Sequence, residues 1–264
     1  MAKDNLPISA NPISLPEPST PQNERSVSMS NALTRGAQGL NLAQKRVVSL
    51  ALGCFDSKVA KYSYLVQNTG GWEVILHAQD YADIYGLDIN TAYDQLQEGG
   101  RSLLKTTWKA AIKGQNQKMK VREGSWFIMA EYGEGEGHIK LVFSPYIAEH
   151  LLALRTQFTS YKIKQIAQLK SIYAIRLYEC MESWKMPMQS WCPTIEEFQM
   201  AMDAPESACK DFGNLRKGII EPAIKELQAK NNLLVNYTTQ KRGRKVTGLI
   251  FTYAENPQNS LNFV

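Results

Sequence analysis

The most restrictive feature of the sequence is an order of elements that occurs twice. Each half of the chain presents short helical patterns, then a longer amphipathic helix, then β-like runs around a basic turn. The halves share no obvious sequence identity, so the repetition lies in the pattern alone. A length of 264 residues suits two domains of ordinary size. The sequence therefore predicts two similarly built domains in tandem.

In the first half, Asn41 is a plausible N-cap for a helix with one apolar face. This helix is followed by a strand from Trp72 to Leu76, a short helix closed by Gly86 and a longer helix from about Asn90. Three β-like runs come next, with the basic loop "GQNQKMKVREG" between the first two: Trp108 to Lys113, Ser125 to Tyr132 and His138 to Phe143. The expected inward residues of the two helices are Val47, Val48, Ala51, Leu52 and Phe55, then Ala92, Leu96 and Leu103.

In the second half, apolar residues at steps of three and four predict a buried helical stripe: Ile166, Leu169, Tyr173, Leu177, Cys180 and Trp184. Thr194 and Glu197 have the spacing of a capping box at the start of a short helix. A longer helix follows, and Pro222 in its interior predicts a bend because it lacks an N–H and crowds the carbonyl of Gly218. The inward residues of this helix and of the closing hairpin are Phe212, Leu215, Ile219, Ala223 and Leu227, then Leu233, Val235, Tyr237, Leu249, Phe251 and Tyr253.

Two further local features of the sequence bear on packing. Gly99 and Gly100 lie inside the longer helix, and each costs about 1 kcal/mol relative to Ala, so either tertiary packing supports that helix or it bends there. The five tryptophans, at positions 72, 108, 126, 184 and 191, could stack on bases, but a place in the core is the commoner use of this residue.

The predicted fold is α+β and helix-rich, with two tandem winged-helix domains. The boundary is expected near residues 153 to 158. The expected ranges are a disordered arm over 1–26, winged-helix domain 1 over 27–154, winged-helix domain 2 over 155–254 and a C-terminal tail over 255–264. The arm is predicted to be disordered because it is rich in Pro, Ser and Asn and has no apolar period.

Charge is segregated along the chain. Residues 101–122 contain seven cations and no acid, and residues 210–245 contain nine cations against three acids. Because the whole chain has a net charge of only +5, the remaining residues are net acidic. Such segregation favours a polyanionic partner. A membrane surface is the alternative, but neither basic segment forms a basic amphipathic helix with a bulky apolar face, so nucleic acid is the preferred partner.

Each basic segment falls on the last helix and the hairpin of its half. A helix about 10 to 12 Å across fits the major groove of B-DNA, and an adjacent hairpin reaches flanking phosphates or the minor groove. The candidate DNA-binding residues of the second half are Lys210, Asn214, Arg216 and Lys217 on the helix and Lys241, Arg242, Arg244 and Lys245 on the hairpin, where Gly243 permits the turn. Those of the first half are Asn90, Thr91, Asp94, Gln97, Arg101 and Lys105 on the helix and Lys113, Lys118, Lys120 and Arg122 on the hairpin.

Four segments in order resemble one known family. They are Ser30 to Leu33, Tyr161 to Met181 with its "SIYAIRLYE", "LRKGIIEPAIKEL" and "KRGRKVTGLIFTY". Together they are similar to the iteron-binding replication initiators (Rep proteins) of theta-replicating bacterial plasmids, over about residues 26 to 253. In that family a basic cluster opens the second reading helix. The cluster matches Arg216 and Lys217, whereas Gly218 stands where relatives often carry a third cation.

The resemblance implies a function and a set of partners. Initiators of this kind bind origin direct repeats, called iterons, as monomers. As homodimers formed through the first domain, they repress their own promoter at an inverted repeat. They melt an AT-rich segment and bring in the host replicative helicase and chromosomal initiator, in the bacterial cytoplasm. The resemblance thus implies double-stranded DNA as the main partner.

Other classes are disfavoured by what the sequence lacks. His77, His138 and His150 are far apart in sequence, which disfavours the metal-dependent nucleases of rolling-circle replication. No phosphate-binding loop, zinc signature or nucleophile elbow occurs, so we expect neither enzymatic activity nor a cofactor. The four cysteines have no metal-ligand or redox-motif spacing, and prolines interrupt any signal peptide, so reduced thiols and no membrane segment are expected. Two rivals stay open: a dimeric transcriptional repressor with no replication role, and a scaffold that binds no nucleic acid.

Overall fold

The fold alternates helices with small sheets. The computed structural model describes residues 11–59, 62, 66, 69–113, 118–133, 135–184 and 190–255. The strands are β1 (Ile13–Ser14), β2 (Ser26–Ser30), β3 (Trp72–His77), β4 (Thr107–Lys113), β5 (Met119–Ser125), β6 (Phe127–Tyr132), β7 (His138–Phe143), β8 (Phe158–Lys162), β9 (Ser190–Trp191), β10 (Leu233–Arg242) and β11 (Lys245–Glu255).

The described helices fall in both halves. They are α1 (Asn31–Arg35), α2 (Leu42–Leu52), α3 (Ala78–Tyr85), α4 (Ile89–Leu103), α5 (Ala148–Leu151), α6 (Lys164–Ala167), α7 (Ile172–Glu182), α8 (Ile195–Ala201), α9 (Glu206–Cys209), α10 (Phe212–Leu215) and α11 (Glu221–Lys230). Two 3₁₀ turns, Gln22–Glu24 and Pro145–Ile147, and a π-helical turn, Arg216–Ile220, complete the set. The α+β prediction is confirmed. Among the described residues, every helix is too short or too polar to traverse a lipid bilayer.

Four sheets organise the part of the chain that the structure describes. The largest has the strand order β1-β3-β7-β6, with β1 parallel to β3 and the other pairs antiparallel. Strands β4 and β5 form a separate antiparallel hairpin, and β10 and β11 form a second hairpin to which β9 adds a short third strand. Strand β2 pairs antiparallel with β8, so residues 158–162 lie beside a strand of the first half.

Caps that were expected from sequence form as predicted. Asn41 and Gln44 make a reciprocal capping box at the start of α2, and Thr194 and Glu197 do the same for α8. Gly86 ends α3 with φ 64°, in the left-handed region that glycine adopts without steric cost. The two capping boxes satisfy N–H groups that the start of a helix leaves free, and the Gly86 N–H donates to the Ala82 carbonyl at the end of α3.

Tertiary packing supports the two central glycines of α4, and the helix continues past them to Leu103. Both glycines are buried. A Cβ on Gly99 would lie 2.8 Å from Cγ2 of Val47, and one on Gly100 would lie 3.1 Å from Cδ1 of Ile139. The glycines therefore let α4 approach α2 and β7 closely.

Pro222 changes the helix that contains it in the way that its chemistry requires. The segment from Phe212 to Lys230 is continuous, but it widens into a π-helical turn at Arg216–Ile220, immediately before the proline. A wider turn accommodates the missing N–H and the ring that crowds the preceding carbonyls. Sequence analysis predicts a bend at Pro222, and the structure shows a π turn immediately before it.

Several sequence predictions are wrong. The arm expected to be disordered over 1–26 is ordered from residue 11: Ile13 pairs with Trp72, and Leu15 is buried. The single helical stripe from Ile166 to Trp184 is two helices, α6 and α7, because Ser171 caps a new helix by accepting from the Ala174 N–H, and Glu226 accepts from the N–H groups of Lys170 and Ser171. The basic loop after Lys113 is largely strand β5, while residues 114–117 lie outside the described chain.

Four of the five tryptophans lie in the core, as expected. Trp72 stacks on Phe143 with ring centroids 4.7 Å apart, and Trp191 stacks on Phe251 at 5.4 Å. Trp184 is the exception: it is 39% exposed, and the Arg35 guanidinium lies 4.0 Å from its ring centroid. A local cation–π contact therefore replaces burial at that position.

Candidate nucleic-acid interface

The hairpin of β10 and β11 presents a concentrated positive charge. Arg242 pairs with Lys245 at its end, which leaves a two-residue turn of Gly243 and Arg244. Gly243 has φ 63°, so the turn needs a residue that tolerates the left-handed region. A register shift after Gln240 adds a bulge just below the tip.

The cations at this tip are free to meet a ligand. Lys241, Arg242, Arg244 and Lys245 are all exposed, and none forms an ion pair with a described acid. Four like charges on adjacent residues repel one another, and a polyanion would relieve that repulsion. The tip therefore has the chemistry of a phosphate-binding element.

The helix beside this hairpin begins at Asp211, whose carboxylate accepts a hydrogen bond from the Asn214 N–H at 2.8 Å. Asn214 and Lys217 are exposed and line a shallow depression of about 510 Å³ with Pro205. Lys210 is exposed but precedes the N-cap, so it lies next to the helix rather than on it. Amide and ammonium donors at a helix N-terminus suit base edges and phosphates.

Arg216 lies on the flank of the same helix. Its Nε is 3.5 Å from Oε1 of Glu221, and its side chain is half-exposed. Since a partly exposed ion pair is weak, this contact does not prevent Arg216 from reaching a phosphate. The residue after the pair Arg216 and Lys217 is Gly218, so no third cation follows them. Gly218 faces open space on this surface.

In the first half, α4 carries the corresponding helical set. Asp88 caps α4 by accepting from the Thr91 N–H at 3.0 Å, and hydrogen bonds from Thr91 lower the pKa of Asp88. Asn90, Arg101 and Lys105 are exposed, whereas Thr91 and Gln97 are partly exposed. The acids Asp94 and Glu98 are exposed on this helix too, so its charge is mixed.

Arg101 is already engaged within the protein. Its Nε donates to the Tyr132 hydroxyl at 3.0 Å, and its guanidinium lies 5.4 Å from the Tyr132 ring centroid. Sequence analysis missed Tyr132, because 31 residues separate it from Arg101 and no local spacing links them. The pair orients the guanidinium on the outer side of α4 and β6.

The hairpin of β4 and β5 carries the remaining predicted cations. Lys118, Lys120 and Arg122 are exposed, and Arg122 forms an ion pair with Glu149. Lys113 ends β4, and its side chain lies outside the described part of the structure. Lys120 and Arg122 share one face of β5 because side chains alternate along a strand.

The three histidines lie in two separate places, and two of them contact one acid each: His138 Nε2 lies 3.9 Å from Glu136 Oε2, and His150 Nε2 lies 3.5 Å from Glu149 Oε1. His77 and His138 lie on paired strands with ring centroids 5.7 Å apart, while His150 is buried against Trp108. Within the described ranges, no group of three or more His, Cys, Asp or Glu residues is arranged to hold a metal ion.

Comparison with known families covers both halves. A family model described as "Initiator Replication protein, WH1" matches residues 26–182, and one described as "Initiator Rep protein, WH2" matches residues 194–253. The expected division near 153 to 158 lies inside the first match. Both models name a winged-helix domain, in agreement with the fold predicted from sequence.

Individual relatives span most of the chain. It is 26% identical over 226 residues to an uncharacterized 27.6 kDa protein of Escherichia coli, covering 85% of this chain and 93% of that protein. It is 24% identical over 255 residues to the PI protein of Escherichia coli, covering 84% of this chain and 80% of that protein.

A solved structure has the same fold. The crystal structure of the Pi initiator protein in complex with iteron DNA matches with a TM-score of 0.71 and 20% identity, over 89% of this chain and 99% of that chain. At this identity the likeness establishes the fold. Because the two family models together match well over half of its residues, the chain belongs to the family of iteron-binding plasmid replication initiator (Rep) proteins.

Proposed function

We propose that this protein is a sequence-specific double-stranded DNA-binding initiator that binds origin iterons as a monomer and starts plasmid replication. The observation that carries this proposal is the exposed tip of β10 and β11, whose four cations lack partners among the described acids and lie in the same domain as an exposed reading helix. Two unlike reading units in one chain suit a direct repeat that a monomer covers over about two helical turns. The Pi initiator protein, which shares the fold, was crystallised with iteron DNA.

The residues divide by role in this proposal. Asn214, Arg216 and Lys217 meet base edges or adjacent phosphates, because they lie near the N-terminal end of the second reading helix. The four hairpin cations bind phosphate without regard to sequence. In the first domain, the cations of α4 and of the hairpin β4–β5 contact the neighbouring segment of the same duplex.

We also propose that a homodimer formed through the first domain represses the protein's own promoter at an inverted repeat. Strand β5 supports this, because among the described strands it pairs with β4 alone and so lies at a sheet edge. Met119 and Val121 are 62% and 65% exposed on one face of β5, opposite Lys120 and Arg122. An edge strand with exposed apolar side chains is suited to pairing with a second copy.

After binding, the initiator recruits the host replicative helicase and chromosomal initiator in the bacterial cytoplasm. No catalytic step by this chain is part of the proposal. The domains are proposed to divide near residues 153 to 158, with β8 returning to pair with β2 of the first domain.

Footprinting on the DNA that flanks the protein's own gene tests the proposal. Protection of direct repeats by the monomer supports an initiator. Protection confined to an inverted repeat leaves the dimeric repressor as the function, and absence of protection at low salt leaves a scaffold that binds no nucleic acid.

The role of the reading helix is tested on the same DNA. Replacing both Arg216 and Lys217 with Ala should weaken binding by about 1–3 kcal/mol for each base that these side chains read, and it should relax the preference among sites. Lys230→Ala provides a control, because Lys230 is an exposed cation at the far end of the same helix. An unchanged preference in the Arg216 and Lys217 variant would refute the assignment.

A further inference from the structure

A short loop of the first domain joins both DNA-reading units. Residues 36–39, named here the seam loop, are the first part of the connection from α1 to α2. On one side the Lys109 N–H in β4 donates to the Ala37 carbonyl at 2.7 Å. A Cβ on Gly36 would lie 2.0 Å from the Lys109 carbonyl oxygen, so only glycine permits this approach. The seam loop is therefore fastened to the base of the first hairpin.

Asp203 fastens the other side of the seam loop to the second domain. Its Oδ2 accepts from the Gln38 N–H at 2.9 Å and from the Gly39 N–H at 3.1 Å. Hydrogen bonds to a charged acceptor are stronger than those between neutral groups. Asp203 has φ 47° and lies between α8 and Asp211, which caps the second reading helix. A single carboxylate thus links the approach to that helix with the loop that holds β4.

Gln38 fixes the seam loop within the first domain. It is fully buried, its carbonyl accepts from the Trp126 indole N–H at 2.9 Å, and its side-chain oxygen accepts from Lys45 Nζ at 2.8 Å. The loop cannot shift without leaving buried polar groups unpaired, which costs about 1–3 kcal/mol for each.

Arg176 adds a second connection across the same boundary. Its Nη2 donates to the carbonyls of Thr34 and Gly36, both at 2.8 Å, and its Nε donates to the Ala201 carbonyl at 2.9 Å. The guanidinium is buried, so these donors have no access to water. Arg176 therefore clamps the end of α8 against the start of the seam loop.

We propose that Asp203 is a positioning residue which, through Gln38 and the seam loop, sets the relative placement of the two DNA-reading units. This inference rests on the proposed function, because it assumes that both units contact one duplex. When two binding units are held at a fixed separation, the second binds as an intramolecular event and raises the affinity by as much as about 10²- to 10⁴-fold. The same rigidity makes binding sensitive to the spacing of the two DNA segments.

The test uses the full chain and duplexes that differ only between the segments protected by the two domains. One duplex is the natural site, and the other carries an insertion of about 5 bp, which turns one segment to the opposite face of the helix. Asp203→Gly removes the carboxylate while keeping the left-handed backbone conformation. Asp203→Asn retains an oxygen acceptor and a residue that tolerates that conformation, so it is the matched control.

A second readout does not depend on DNA. Spin labels at Leu104 and Leu234, which are 38% and 42% exposed, report the distance between the domains by pulsed EPR. Cys192 and Cys209 are replaced with Ser in all proteins, because these cysteines are not buried. The two remaining cysteines are buried and accessible to label only on unfolding.

In the wild type, the insertion should reduce affinity by on the order of 100-fold, and the label distances should form one narrow distribution. With Asp203→Gly, the natural site should bind more weakly, the insertion should cost less than about tenfold and the distance distribution should broaden. Asp203→Asn should restore the wild-type sensitivity. Equal insertion penalties and equal distance distributions in all three proteins would overturn the inference. Failure of the wild type to bind any duplex would instead refute the proposed function, while the label distances would still decide whether Asp203 fixes the domains.

Discussion

The Nζ of Lys45 lies 2.5 Å from Oε1 of Glu179, and both side chains are fully buried. Arg176 donates to the other Glu179 oxygen at 2.7 Å, so two buried cations share one carboxylate. Burial alone would raise the pKa of Glu179, but Lys45 and Arg176 outweigh it and hold that pKa below its usual range. Burial lowers the pKa of Lys45, and the carboxylate opposes that shift. With both basic side chains in their ordinary charged form, the cluster has an excess of one positive charge.

This excess of positive charge predicts that replacing Glu179 and replacing Lys45 will lower the free energy of unfolding by different amounts. Glu179→Gln leaves two uncompensated buried cations and should lower the free energy of unfolding by about 3–5 kcal/mol. Lys45→Met leaves the neutral pair of Arg176 and Glu179 and should cost less, about 1–3 kcal/mol. Urea unfolding of both variants measures the difference. Lys140→Met, at an exposed pair with Glu131, serves as the control and should leave the free energy of unfolding nearly unchanged. Equal losses for Glu179→Gln and Lys45→Met would contradict the charge excess.

Two helical glycines should respond to Ala in opposite ways. Gly99→Ala places a Cβ 2.8 Å from Val47 Cγ2, so overpacking of about 1–3 kcal/mol should outweigh the gain in helix propensity of about 1 kcal/mol. Gly218→Ala meets nothing within 4 Å and should stabilise the protein by up to about 1 kcal/mol. Thermal unfolding of the two variants shows whether each substitution stabilises or destabilises the protein. A stabilising Gly99→Ala would show that α2 can yield at Val47.

Local signals in the sequence were sufficient for much of the fold. The N-cap at Asn41, the capping box of Thr194 and Glu197, the strand at Trp72 and the turn at Gly243 each depend on neighbouring residues, and each was placed correctly or within a residue or two. Partners distant in sequence were not visible. Strand β8 exists because β2 lies beside it, although 132 residues separate Ser28 from Ser160.

The candidate site shows the same difference between signals that are local in sequence and partners that are distant in sequence. The clusters at Arg216–Lys217 and Lys241–Lys245 were identified because their charges are adjacent in sequence. Asp203 was not identified, because a single acid at the end of a short helix has no distinguishing pattern. Its role depends on Gln38, 165 residues away in the chain.

His150 gives the stability a specific dependence on pH. Its ring is buried against Trp108, its Nδ1 lies 2.8 Å from the Ser30 hydroxyl, and Arg122 and Glu149 lie nearby. Burial, with a further contribution from the Arg122 charge, lowers the pKa of His150 to about 4.

As pH falls below about 6.5, the unfolded chain takes up a proton at His150 while the folded protein does not, so stability decreases until the pH approaches 4. Between pH 7.5 and pH 5 the wild type should lose about 2 kcal/mol more than His150→Gln. Urea unfolding at both pH values measures this difference. Parallel losses in the two proteins would assign the pH dependence to other groups.

The exposed hairpin tip predicts how DNA binding depends on salt. Replacing Lys241, Arg242, Arg244 and Lys245 with Gln should weaken binding to every duplex and reduce the slope of log K against log salt by about 3–4, because each phosphate contact contributes about 0.9. The control replaces four exposed lysines elsewhere with Gln, at Lys58, Lys164, Lys170 and Lys230, and so makes the same change in net charge. Titrations by fluorescence anisotropy at several salt concentrations, on specific and scrambled duplexes, separate local contacts from overall charge. If both quadruple variants reduce the slope equally, the tip binds no phosphate directly. If the tip variant loses only its preference for the specific duplex, the tip reads bases rather than phosphates.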